Sequence, residues 1–124
     1  MARRQTVTVD GMGLLAKRLK ELPTSVQDGA KTAVKDETNE VVDDMRRTAP
    51  RDSGDLVAGM QAEFTNGGLG GRAVSTARHS TFVEHGTEDT PEQPFMTPAA
   101  ERSRRRFPGR IRDAVGAELK DLTR

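Results

Sequence analysis

A chain of 124 residues is long enough for one domain with its own core, yet Leu, Ile, Val and Phe together supply only 23 side chains and Trp and Tyr are absent, so that core must be lean. Twenty basic residues nearly cancel nineteen acidic ones, which argues against disorder driven by self-repulsion, and the lack of cysteine excludes disulfides and thiolate metal sites. No apolar run approaches the roughly 20 residues of a membrane span, and residues 1–10 lack the apolar stretch of a secretory signal, so a soluble chain made in a cytoplasm is expected.

The charge is segregated along the chain. Residues 28–55 hold eight acidic and five basic side chains, whereas residues 101–124 hold eight basic and four acidic. Two origins fit: an ordinary solvated surface, or complementary patches that meet between copies of the chain.

In chain order, residues 5–9 alternate polar and β-branched side chains and read as a short strand or arm. Leu14, Leu15, Leu19 and Leu22 follow at helical spacing, and Pro23 stops that segment. Thr24 or Ser25 is then placed to cap a long helix. Its apolar stripe is Val26, Ala30, Ala33, Val34, Val41, Met45 and Ala49, its polar face carries Asp28, Lys31, Lys35, Asp36, Asp43 and Arg46, and Pro50 closes it.

Residues 51–55 read as a loop and residues 56–65 as a strand. Residues 66–71, four of them Gly, read as a flexible hairpin tip, and residues 72–77 as the returning strand. A short apolar piece at 81–84 and a loop at 86–94 lead to Thr97 and Pro98, a helix start. The last helix carries Phe107, Ile111, Val115, Leu119 and Leu122, and Pro108 with Gly109 predicts a kink or break within it. The result is a single α+β domain over 1–124: a small antiparallel sheet packed against a long amphipathic helix, plus a C-terminal helix. The expected core is Val26, Val34, Val41, Met45, Phe82, Phe95, Ile111, Val115 and Leu119.

Few side chains suggest chemistry. His79, Glu84 and His85 form the one cluster with metal-ligand types, but the spacing matches no zinc motif. Ser53, Ser75 and Ser80 lack a nucleophile-elbow context. The Gly-rich turn lacks the Lys-Ser/Thr ending of a phosphate loop. Catalytic residues, metal and cofactor are therefore expected to be absent. Arg102, Arg104, Arg105, Arg106, Arg110 and Arg112 form a basic run on a helix. It could touch nucleic-acid phosphates, though no aromatic side chains interleave for base stacking. An ordinary surface or contacts between subunits are the preferred reading.

Three ordered stretches bear on function. A long amphipathic helix ends in Thr48, Ala49 and Pro50, with Ser53, Gly54 and Leu56 beyond it. Phe82, Val83 and Glu84 precede His85, Gly86 and Thr87. Pro94, Phe95, Pro98 and Ala99 open the last helix. Together these resemble the tail-component family of long-tailed bacteriophages, also described as neck or head–tail joining proteins. The sequence departs from that pattern at His85, where an aromatic is usual, and at Pro108–Gly109, where the helix is usually continuous. The resemblance implies a structural virion protein of the head-to-tail connector. Such a protein forms a ring, six-fold by expectation, that contacts head-closure and tail-terminator or tail-tube proteins and lets DNA pass without specific binding. It implies no catalytic residues. Candidate assembly contacts are the six arginines together with Phe82, Glu84 and Phe95. The alternatives are a tail-terminator or tail-assembly subunit and, from other classes, a small nucleic-acid-binding protein using the Arg run or a metal-dependent hydrolase using His79 and His85.

Overall fold

The computed structural model describes residues 5–9, 21–49, 55–76, 85–86 and 94–122. The elements in order are β1 (Gln5–Val9), α1 (Thr24–Thr48), α2 (Asp55–Ala58), β2 (Met60–Thr65), a 3-10 turn (Asn66–Gly68), β3 (Gly70–Ser75) and α3 (Met96–Leu122). The strands form one antiparallel sheet in the order β1-β3-β2, with Ala73 opposite both Val7 and Ala62. The α+β architecture expected from the sequence is thus the one observed.

α1 is the spine. Its apolar stripe is buried throughout, from Val26 and Ala30 to Met45 and Ala49. Residues recurring at steps of three and four stay on one side of a 3.6-residue helix, so one stripe can serve both the sheet and α3. The start differs from expectation: neither Thr24 nor Ser25 caps α1. The amides of Val26 and Gln27 donate instead to the Pro23 carbonyl at 3.0 and 3.1 Å, and Gln27 Nε2 donates to the Leu22 carbonyl at 2.8 Å. At the other end Ala49 is extended (φ −70°, ψ 146°), as a residue before proline must be.

The segment 56–65 is not one strand. Leu56, Val57 and Ala58 do not alternate, and one helical turn tucks Leu56 into the core before β2 begins at Met60. Gly59 marks the join: its carbonyl accepts the Thr76 amide at 3.0 Å and the Thr76 hydroxyl at 3.2 Å. The Gly-rich tip also shrinks. Leu69, Gly70 and Gly71 are buried, and the last two lie inside β3, leaving Asn66, Gly67 and Gly68 as the turn, closed by the Leu69 amide on the Asn66 carbonyl at 3.2 Å. Asn66, Gly67 and Gly68 all take positive φ, which explains the composition of the turn. Gly71 has a different cause. A Cβ there would stand 2.0 Å from Thr38 Oγ1 and 3.2 Å from Val34 Cγ1, so the sheet lies on α1 too closely for a side chain.

α3 starts at Met96, with Thr97 and Pro98 both within its first turn, where the proline's missing donor would have had no partner. It runs unbroken past Pro108, so the expected kink or break does not divide it. Pro108 and Arg104, whose carbonyl loses the i+4 donor, are both exposed, so water can satisfy that group, while Phe107 and Ile111 hold the helix to the core on either side. Of the expected core, Val26, Val34, Val41, Met45 and Phe95 are buried, Ile111 and Val115 are partly buried, and Leu119 is 45% exposed. A row of positions four apart rotates by about 40° per step on a helix, so Leu119 has turned well away from the side on which Phe107 is buried. Phe82 and the leucines at 14, 15 and 19 lie outside the described residues.

Adding a methyl at Gly71 should cost about 1–3 kcal/mol through overpacking against Thr38 and Val34. Gly116→Ala, where a Cβ meets open space in a helix interior, should gain up to about 1 kcal/mol. Urea midpoints of the two variants moving in the same direction would contradict this packing.

Candidate assembly surface

Six arginines within eleven residues of a helix cannot share one face. Positions 102, 106 and 110 fall at successive i+4 steps and line one side, while 104, 105 and 112 project elsewhere. The fold separates them accordingly. α1 and α3 run antiparallel and make the most extensive contact between any two elements. They approach closely near one end, where a Cβ on Gly29 would meet Glu118 Cγ at 2.7 Å and the Ala114 carbonyl oxygen at 3.1 Å.

Along this seam the arginines of α3 meet carboxylates of α1. Glu37 is fully buried, and Arg106 grips it: Nε donates to both carboxylate oxygens at 3.1 Å and Nη2 to Oε2 at 2.5 Å. Arg106 Nε also lies 3.2 Å from Glu40. Arg110 pairs with Glu40 at 2.6 Å and with Glu37 at 3.4 Å. Asp44, 2% exposed, accepts Arg102 Nε at 2.5 Å and is also bound by Arg47. The hydrogen bond from Arg106 to Glu37 raises the guanidinium pKa above its ordinary value, against the opposing effect of burial, and the charges of Glu37, Glu40 and Asp44 add to the rise. The charge of Arg106 is therefore permanent, as the buried carboxylate requires.

Arg102, Arg106 and Arg110, expected as contacts between subunits, are thus engaged within the chain, and part of the charge segregation between the middle and the end of the sequence is answered internally. Arg104, Arg105 and Arg112 remain exposed and make no ion pair among the described residues. Phe95 is fully buried in the core, which removes it from the assembly contacts. Phe82, Glu84 and His79 lie outside the described residues; His85 is exposed, and Gly86 has a positive φ of 79° that suits a tight turn. No group of three or more potential metal ligands occurs among the described residues, and no described helix is long and apolar enough to cross a membrane. Sequence reasoning missed Glu37, Glu40 and Asp44. Their signal was present: spacings of three and four along α1 that mirror the i+4 row of arginines.

Residues 14–86, more than half of the chain, match the family model described as "Bacteriophage HK97-gp10, putative tail-component". No curated protein and no solved structure gives a significant match.

Removing one partner from the seam strands a buried charge, whereas removing both does not. Arg106→Leu should therefore cost about 2–4 kcal/mol, below the largest such penalties because Arg110 remains near Glu37. Glu37→Leu combined with Arg106→Leu should recover most of that loss. Additive losses in the double variant, read from denaturant unfolding, would refute the coupling.

Proposed function

Because the chain belongs to the HK97-gp10-like family of bacteriophage tail components, we propose that this phage structural protein is a ring-forming subunit of the neck, joining head to tail and surrounding the path of the exiting genome. The family match over residues 14–86 carries the reading. Its immediate partners are further copies of itself, in a six-fold ring by preference, and the head-closure layer on one side with the tail-terminator or tail-tube layer on the other.

Two features of the chain support this. The core is lean, so contacts with other subunits add burial that the monomer lacks. The exposed arginines at 104, 105 and 112 supply charged anchors for a neighbour on the side of α3 not used by α1. The chain acts as a scaffold and not as an enzyme, without a cofactor. The ionisable groups that the fold gathers at the α1–α3 seam are spent on one another: Arg106 holds Glu37, and Arg102 holds Asp44. Passage of DNA favours a wall without tight phosphate contacts, since each such contact adds salt-sensitive affinity. A net charge of only +1 is compatible with such a wall.

Quantitative mass spectrometry of purified virions should find this chain at several copies per particle, in a fixed ratio to the other neck proteins. A single copy, or none, would sink the ring reading. Charge reversal by Arg104→Glu should lower the yield of tailed particles while leaving the urea midpoint of the isolated chain unchanged, because Arg104 is exposed and outside the seam.

A further inference from the structure

The side of the helical layer turned away from the sheet carries two rows of charge. On α1, Val34, Thr38, Val41 and Met45 face the sheet and core, and Glu37, Glu40 and Asp44 face α3. Continuing round the helix past Glu40 brings Asp36 and Asp43 to the outer side, both exposed. On α3, Phe107 and Ala99 face the core and Arg102, Arg106 and Arg110 face α1, which leaves Arg105 and Arg112 on the same outer side, both exposed. Asp36, Arg105 and Arg112 make no ion pair among the described residues, and Asp43 has only a long contact of 3.9 Å to Arg46.

The spacing of the rows matches. Each pair is seven residues apart, which is about 10 Å along a helix. The seam contacts of Asp44 with Arg102 and of Glu37 with Arg106 and Arg110 set the antiparallel register. In that register Asp43 and Arg105, and likewise Asp36 and Arg112, are offset by only about 3 Å along the common axis. Side chains on a helix lean toward its N-terminus, so in antiparallel helices an Asp and an Arg with this offset lean toward each other. Within one chain the two rows lie side by side. Rotation by half a turn about an axis parallel to the helices places the acidic row of a second copy over the basic row of the first, and the reverse, at an unchanged level.

We propose that this outer face, with Asp36 and Asp43 on α1 and Arg105 and Arg112 on α3, is a self-complementary docking surface on which two copies of the chain pair about a two-fold axis. The pairing places Asp36 against Arg112 and Asp43 against Arg105, twice over. It sets the end of α3 that bears the exposed Leu119 toward the second copy's α1 start, next to which Leu22 is also exposed. Exposed ion pairs are individually weak and screened by salt, so the dimer forms at high protein concentration and low ionic strength. This pairing concerns free chains and does not depend on the neck-ring reading, although that reading also offers Arg105 and Arg112 to a neighbour in the assembled particle.

Sedimentation equilibrium of the full chain at low salt should give twice the monomer mass of 13.5 kDa, with association weakened by about ten-fold or more when salt is raised to physiological strength or above. The variant Asp36→Arg with Asp43→Arg should be monomeric, as should Arg105→Asp with Arg112→Asp, since each presents two rows of like charge. An equimolar mixture of the two should dimerise again, because each face now finds its complement. All four side chains are exposed, so both variants should keep the circular dichroism spectrum of the parent. A parent chain that stays monomeric at low salt overturns the proposal, and so does a dimer that survives either charge swap or a mixture that fails to associate. The same holds if the Arg row instead retains duplex DNA: loss of DNA binding in the arginine variant and gain in the aspartate variant, with mass unchanged in both, assigns the row to phosphate.

Discussion

The fold depends on a buried carboxylate. Glu37 sits in the middle of α1 with no access to solvent, on the side of the helix where Val34 and Val41 are also buried. A carboxylate in that position is tolerable only if it is paired and hydrogen-bonded. Arg106 supplies a forked contact, Arg110 stands behind it, and two turns further along α1 Asp44 is held in turn by Arg102. Replacing such pairs with apolar side chains is often neutral or better for stability, so their value lies elsewhere. Sliding α3 by one turn so that Arg102 met Glu37 would leave the buried Asp44 opposite Pro98, without a partner. The pairs therefore specify the register in which two long helices of modest hydrophobicity can meet, a task that Ala30, Ala33 and Ala99 are too small and too alike to perform alone.

That register has consequences at the surface. Three arginines are engaged, half-buried, with carboxylates of α1, and three are left on the outer faces of α3. A basic run that looks uniform in the sequence is therefore two structures: an inner row that holds α1 and an outer set free to meet another molecule. The acidic residues divide in the same way, with Glu37, Glu40 and Asp44 facing inward and Asp36 and Asp43 outward. For a subunit that must be made as a separate chain and later join a large particle, a charged outer face has a physical advantage. It stays hydrated until a complementary face arrives, whereas a large apolar patch would aggregate first.

Much of the fold was legible because it rests on periodicity. The stripe from Val26 to Ala49 is regular over about six turns, and Pro50 ends it by geometry that any sequence reader can apply. The alternation of residues 5–9 and the glycines near 66–71 likewise marked strands and a turn. Where reading failed, tertiary contact had decided the outcome. Gly71 looks like part of a loose tip, but it is a strand residue whose missing side chain lets β3 lie on Thr38 and Val34. Leu56 looks like the start of a strand, yet burial of its side chain favours a helical turn. Pro108 looks like a helix breaker, and α3 continues because Phe107 and Ile111 anchor both flanks. Leu119 fits an apolar stripe only until the 40° drift of an i+4 row is followed to its end. The candidate surface was half legible: the arginines were visible, but their sorting into two sets needed the carboxylates of α1, which are more than fifty residues distant in sequence.

On the proposed function, this division of the arginines fits the chain for assembly: one half builds the monomer and the other meets neighbours. A cryo-EM map of the intact virion neck at side-chain resolution tests it most directly. The expected map shows a ring of this chain in which Arg102, Arg106 and Arg110 remain against α1 of their own subunit, while Arg104 reaches an adjacent subunit or layer. A map in which the inner row leaves α1 to cross between subunits, or in which the outer arginines line the channel against DNA, would contradict it.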